Sequence, residues 1–109
     1  VRITDVDEKG RSVKLADGVL DVKYRDGFEK PSYMEPGGIY KAVVRTTKIS
    51  NTFLPGHSLR LTITSSAKNF IFPNSNTTGG YDSETREKAV ISVHRGKENA
   101  SFLEFPKEA

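Results

Sequence analysis

Two histidines, His57 and His94, are the residues best suited to acid–base or metal chemistry in this sequence. Neither has a second His or a carboxylate at metal-ligand spacing, so no metal site is expected. His57 follows Pro55-Gly56 and is expected to donate a hydrogen bond in that turn. His94 falls at a strand end beside Arg95-Gly96. A serine hydrolase of the α/β type needs Gly-x-Ser-x-Gly at a strand-to-helix elbow. The nearest string, Gly56-His57-Ser58-Leu59-Arg60, lacks the second Gly, and Ser58 opens a strand. Ser58 therefore reads as a solvent-facing strand residue. Asp5-Val6-Asp7-Glu8-Lys9-Gly10 imitates a calcium loop but fails at Lys9 and at Ala16, where a bidentate Glu is required. Glu84 and Glu87 lie beside Arg86 and Lys88 and read as a solvated face. There is no Cys, which excludes disulfides and thiol chemistry. No catalytic, cofactor-binding or metal-ligating residue is assigned, and no cofactor is expected. Asn76-Thr77-Thr78 and Asn99-Ala100-Ser101 are glycosylation sequons by pattern, and such triplets also arise by chance.

The elements that must carry these residues read as all-β. From Ser58 to Ser65, Leu59, Leu61 and Ile63 alternate with Arg60, Thr62 and Thr64. That is the period of a half-buried strand, with Leu61 inward and Thr62 outward. Leu20, Val22 and Tyr24 alternate in the same manner, and further strands are expected at 1–6, 12–15, 39–46, 89–94 and 101–105. Asp17-Gly18 predicts a tight hairpin pairing 13–15 with 19–24. Glu8-Lys9-Gly10 and Pro55-Gly56 read as turns, and residues 69–82 as a long surface loop carrying Phe70, Phe72 and Tyr81. Exposed aromatics there suit a sugar, a peptide or, best, a neighbouring domain. One short helix is expected over Ser83–Ala89, with Ser83 as N-cap.

At 109 residues the chain has room for one domain. With 35% apolar residues and a net charge of +3, it is not expected to be disordered. Basic residues are interleaved with acids, so no nucleic-acid partner is expected. No apolar run approaches the about 18 residues of a membrane span, so no membrane partner is expected either. The chain starts at Val1, and its only Met is Met34. It is therefore expected to be part of something longer, and the compartment stays open.

The order of strings goes further. The chain carries DEKGRSVKLADGVLDVKYRDGFEKP at 7–31, EPGGIYKAVV at 35–44 and SNTFLPGHSLRLTITSS at 50–66. NSNTTGG at 74–80, HRG at 94–96 and SFLEFP at 101–106 follow. Taken together, and over nearly its whole length, the chain resembles the C-terminal domain of the X-Pro dipeptidyl-peptidase and cocaine-esterase-like hydrolases. The loop departs from the usual Asn-x-Asn-Thr-Gly by an extra Thr, and the segment 67–73 before it has an unusual spacing.

The resemblance implies a jelly-roll-like β-sandwich, galactose-binding-like, spanning 1–109 as an N-terminally truncated piece of a larger hydrolase. It implies a non-catalytic accessory domain whose partner is the α/β-hydrolase catalytic domain of the same parent chain. The Ser-Asp-His triad would precede this segment. Two other readings stand beside it: a free-standing carbohydrate- or peptide-binding β-sandwich, and a structural module of a surface protein. Strands missing before Val1 would leave an open sheet edge, so self-association of the isolated chain is also expected.

Overall fold

The computed structural model describes residues 1–106, and its regular elements are three strands and one 3-10 turn. Strand β1 spans Arg2–Val6, β2 spans Ser12–Asp17 and β3 spans Ser58–Thr62. They form one antiparallel sheet in the order β2-β1-β3. Among the described residues there is no α-helix, and the chain is all-β.

Strand β1 is rich in β-branched residues, which suit a pleated surface packed on both sides. It occupies the centre of the sheet and holds most of the buried side chains. Ile3 and Val6 are buried, as are Thr4 on β1 and Ala16 on β2. The turn from β1 to β2 is built by Asp7, whose Oδ1 accepts from the amides of Lys9 (2.9 Å) and Arg11 (2.8 Å). A side chain that binds the backbone two residues on mimics a turn. Gly10 closes it at φ 83, a region that suits glycine. The turn expected at Glu8-Lys9-Gly10 is therefore present.

The register places Ile3 opposite Ala16 on one side and Leu61 on the other, and Thr4 opposite Lys14 and Arg60. Between Ile3 and Thr4 the β1–β2 ladder skips Leu15, which forms a bulge. Leu59 and Leu61 share the face of Ile3, as their alternation predicts, while Ile63 lies beyond the end of β3. Their burial does not follow the expectation: Leu59 is 37% exposed, Leu61 38% and Ile63 50%. The parity is correct, and the face is only partly covered.

Several expected elements are absent among the described residues. The segment 19–24 does not pair with β2, which stays at the edge of the sheet with β1 as its ladder partner. Val22–Tyr24 forms a 3-10 turn instead, capped by the Asp21 side chain, which accepts from the Lys23 amide. Asp at that position competes with a ladder by capping. The segments 39–46, 89–94 and 101–105 have strand-like composition but no ladder, and composition without a pairing partner does not make a strand. The helix expected over Ser83–Ala89 is not formed. The Ser83 hydroxyl donates to the Thr85 carbonyl (3.0 Å) instead of capping, and the Glu87 amide donates to the Ser75 carbonyl (2.9 Å). The Asp17-Gly18 pair makes a corner, not a hairpin. There the Gly18 amide donates to the Val1 carbonyl (3.0 Å), and the Thr47 amide reaches the Asp17 carbonyl (3.3 Å).

Candidate functional site

Asp5 stands on β1 in the row between Val13 and Leu59, on the same face as Ile3. A carboxylate on an apolar, partly covered face needs partners. It finds them 46 and 52 residues away in sequence. His57 Nδ1 lies 2.7 Å from Asp5 Oδ1, and Asn51 Nδ2 donates to Asp5 Oδ2 at 3.3 Å. His57 is delivered by the turn before β3. Its own amide donates to the Leu54 carbonyl (3.0 Å), and Gly56 has the positive φ (79°) of a type II turn after Pro55. The hydrogen bond expected of His57 in that turn is made by its backbone, while its ring crosses to Asp5.

These residues line a groove of about 390 Å³ with Asp7, Arg11, Val13 and Leu15. With Nδ1 donating to the carboxylate, the imidazole is oriented as in the base half of a catalytic triad, with Nε2 left as an acceptor. The nucleophile is what this arrangement lacks. Ser58 follows His57 directly but pairs opposite Val6, on the other face of the sheet, because successive strand residues point to opposite sides. Among the described residues no hydrogen bond joins Ser58 to His57. The cluster therefore ties β1 to the start of β3 and carries no acyl-transfer chemistry by itself.

The other residues weighed for chemistry lie apart. His94, Glu84 and Glu87 are exposed and outside any regular element. Asp5 and Asp7 face different partners, Asp5 toward His57 and Asp7 toward Arg11, so the calcium-like string holds a turn. Among the described residues, no three His, Asp or Glu side chains are grouped to hold a metal ion. The loop 69–82 is anchored at several points. Asn76 Nδ2 donates to the Glu87 carbonyl (2.7 Å), and the Tyr33 hydroxyl donates to the Thr78 carbonyl (3.3 Å). Phe72 and Tyr81 pack ring to ring at 4.9 Å, and both stay exposed.

The Asp5–His57 pair escapes a reading based on spacing, because one member lies on β1 and the other in the turn before β3, 52 residues away. The available signal was parity: Asp5 falls at an apolar position of the β1 alternation, where an unpaired carboxylate is costly.

Two carboxyls are held below the usual range. The Arg11 amide and then its guanidinium act on Asp7, and the guanidinium of Arg2, aided by Lys14, acts on Asp17. A depressed carboxyl contributes stability above its ordinary range, and that contribution is lost as pH falls through its folded value. Thermal melts between pH 6 and pH 2 are expected to decline below about pH 4, the ordinary carboxylate range. Asp7→Asn and Asp17→Asn should each flatten that decline.

Comparison with known proteins gives a consistent picture. Residues 1–104 match a family model described as the X-Pro dipeptidyl-peptidase C-terminal non-catalytic domain. A curated relative, cocaine esterase from Rhodococcus sp. (strain MB1 Bresler), is 35% identical over 108 residues, which is 96% of this chain and 19% of the relative. The chain thus spans about a fifth of the length of the curated relative it matches. No solved structure gives a significant match.

Proposed function

Since the chain belongs to the family of X-Pro dipeptidyl-peptidase C-terminal non-catalytic domains, we propose that it is the accessory domain of an α/β serine hydrolase of the dipeptidyl-peptidase or acyl-esterase type. In this reading it forms part of a jelly-roll β-sandwich, packs against the catalytic domain and supports it. The observation that carries the reading is uncovered surface. The chain exposes 9857 Å², whereas a compact chain of its mass exposes about 6,000 Å². The surplus includes Leu59, Leu61 and Ile63 and the aromatic loop with Phe70, Phe72 and Tyr81. Exposed apolar side chains in this number support an interface. The same surface leaves an isolated chain open to pairing with a second copy.

Two measurements test the reading. The purified 109-residue chain is expected to turn over neither a chromogenic ester nor an X-Pro substrate. Turnover that disappears in Ser58→Ala or His57→Ala would show that the chain holds its own active site. In the parent enzyme, Leu59→Asp is expected to shorten the half-life of thermal inactivation while KM stays unchanged. An unchanged half-life would show that this face does not support the catalytic domain.

The free-standing binding module is favoured by one feature, the exposed Phe72–Tyr81 ring pair. It predicts that a soluble sugar broadens the resonances of those two rings in the isolated chain.

A further inference from the structure

The face of the sheet opposite Ile3 and Leu61 has a different chemistry. Across it run three rows: Asp17–Arg2–Thr62, Lys14–Thr4–Arg60 and Ser12–Val6–Ser58. The sequence interleaves its basic residues with acids, and the strand register gathers three cations here against one carboxylate. Asp17 engages Arg2 at 2.8 Å and Lys14 at 3.2 Å. Among the described residues Arg60 has no ion-pair partner. The centre of this face is Thr4, which is 6% exposed, and its hydroxyl is buried with no hydrogen-bond partner. A buried orphan hydroxyl is unfavourable unless something satisfies it. Its neighbours on either side, Lys14 and Arg60, are exposed and carry long flexible side chains.

We propose that this face is a docking surface for an acidic protein segment, with one carboxylate seated between Lys14 and Arg60 and accepting the hydroxyl hydrogen of Thr4. A carboxylate offers up to four lone-pair sites, enough to serve a guanidinium, an ammonium and a hydroxyl together. The patch suits this occupant better than a nucleic acid. It has three cations, one already shared with Asp17 and another paired to it, where a phosphate backbone is held by six or more contacts in typical cases, about twice as many. The inference goes beyond the accessory-domain reading and does not depend on which enzyme the chain serves.

The test titrates the 109-residue chain with a hexaglutamate peptide and follows backbone amide shifts at low ionic strength. Shifts centred on Thr4, Lys14 and Arg60 are expected. Arg60→Gln, at an exposed position that leaves the fold intact, is expected to weaken binding about tenfold, as loss of a charge-assisted hydrogen bond would. Thr4→Val is expected to weaken binding while its melting temperature holds or rises, because the orphan hydroxyl is gone. The proposal is overturned if hexaglutamate moves other residues, or if Arg60→Gln binds as wild type. It is equally overturned if inorganic phosphate or a DNA duplex binds this face as tightly as hexaglutamate. Unchanged binding by Thr4→Val would overturn it as well, because the carboxylate is seated on that hydroxyl.

Discussion

Ile3→Ala is expected to lower the stability of the chain by about 2–5 kcal/mol, the range found when a large buried aliphatic side chain is truncated. Ile3 is 8% exposed and sits at the centre of the sheet, between Ala16, which is 2% exposed, and Leu61. Ala16 is too small to fill the void, and Leu61 belongs to an edge strand. Few other side chains are buried to this degree, so little of the core would remain to compensate. Leu61→Ala removes a side chain that is already partly in water. Its cost should be smaller, about 1 kcal/mol by area. Urea unfolding of the two variants decides the matter. Equal shifts of the midpoint at unchanged slope would mean that β1 is not the centre of the core.

Gly18→Ala is the second large effect. Gly18 does not adopt a positive φ, so backbone strain is not the reason for the glycine. The reason is close approach. A Cβ built there would lie 2.5 Å from the Arg45 carbonyl oxygen and 3.1 Å from Val44 Cγ1. The backbone oxygen cannot swing aside as a side chain can. Gly18 also exchanges two hydrogen bonds with Val1, at 2.7 Å and 3.0 Å, and its neighbour Asp17 receives the Thr47 amide. An added methyl must push the segment at 44–47 off the sheet or open the end of the β1–β2 ladder. Overpacking of this kind costs about 1–3 kcal/mol. The local signature is faster hydrogen exchange at the Thr47 and Gly18 amides. Wild-type protection at both would show that the corner has room.

These two positions also show what the sequence made legible. Strand β1, the Asp7 turn and β3 follow from alternation and turn chemistry, because their signals are local. Gly18 reads as the glycine of a tight hairpin turn, whereas its place is set by the close approach of residues 44–45, which a local string does not show. The 19–24 segment reads as a strand until Asp21 is given its capping role. The site was the least legible part. Asp5, Asn51 and His57 meet only because β3 crosses to β1, and no spacing rule spans 50 residues of intervening chain. The family strings identify relatives. They run through most of the chain and do not single out the cluster.

The bulge at Leu15 bears on how the chain tolerates changes in length. The pairs on either side of it, Ala16 with Ile3 and Lys14 with Thr4, are those of a regular ladder with one residue to spare. Losing residue 15 keeps every partner and every face, at the expense of one wall of the groove beside His57. Losing Ala16 instead brings Leu15 opposite Ile3, and a large side chain then has to fit where a small one, 2% exposed, now sits. In a relative one residue shorter across this hairpin, the alignment gap therefore belongs opposite position 15. Inheritance can trim the hairpin there without rewriting its two faces.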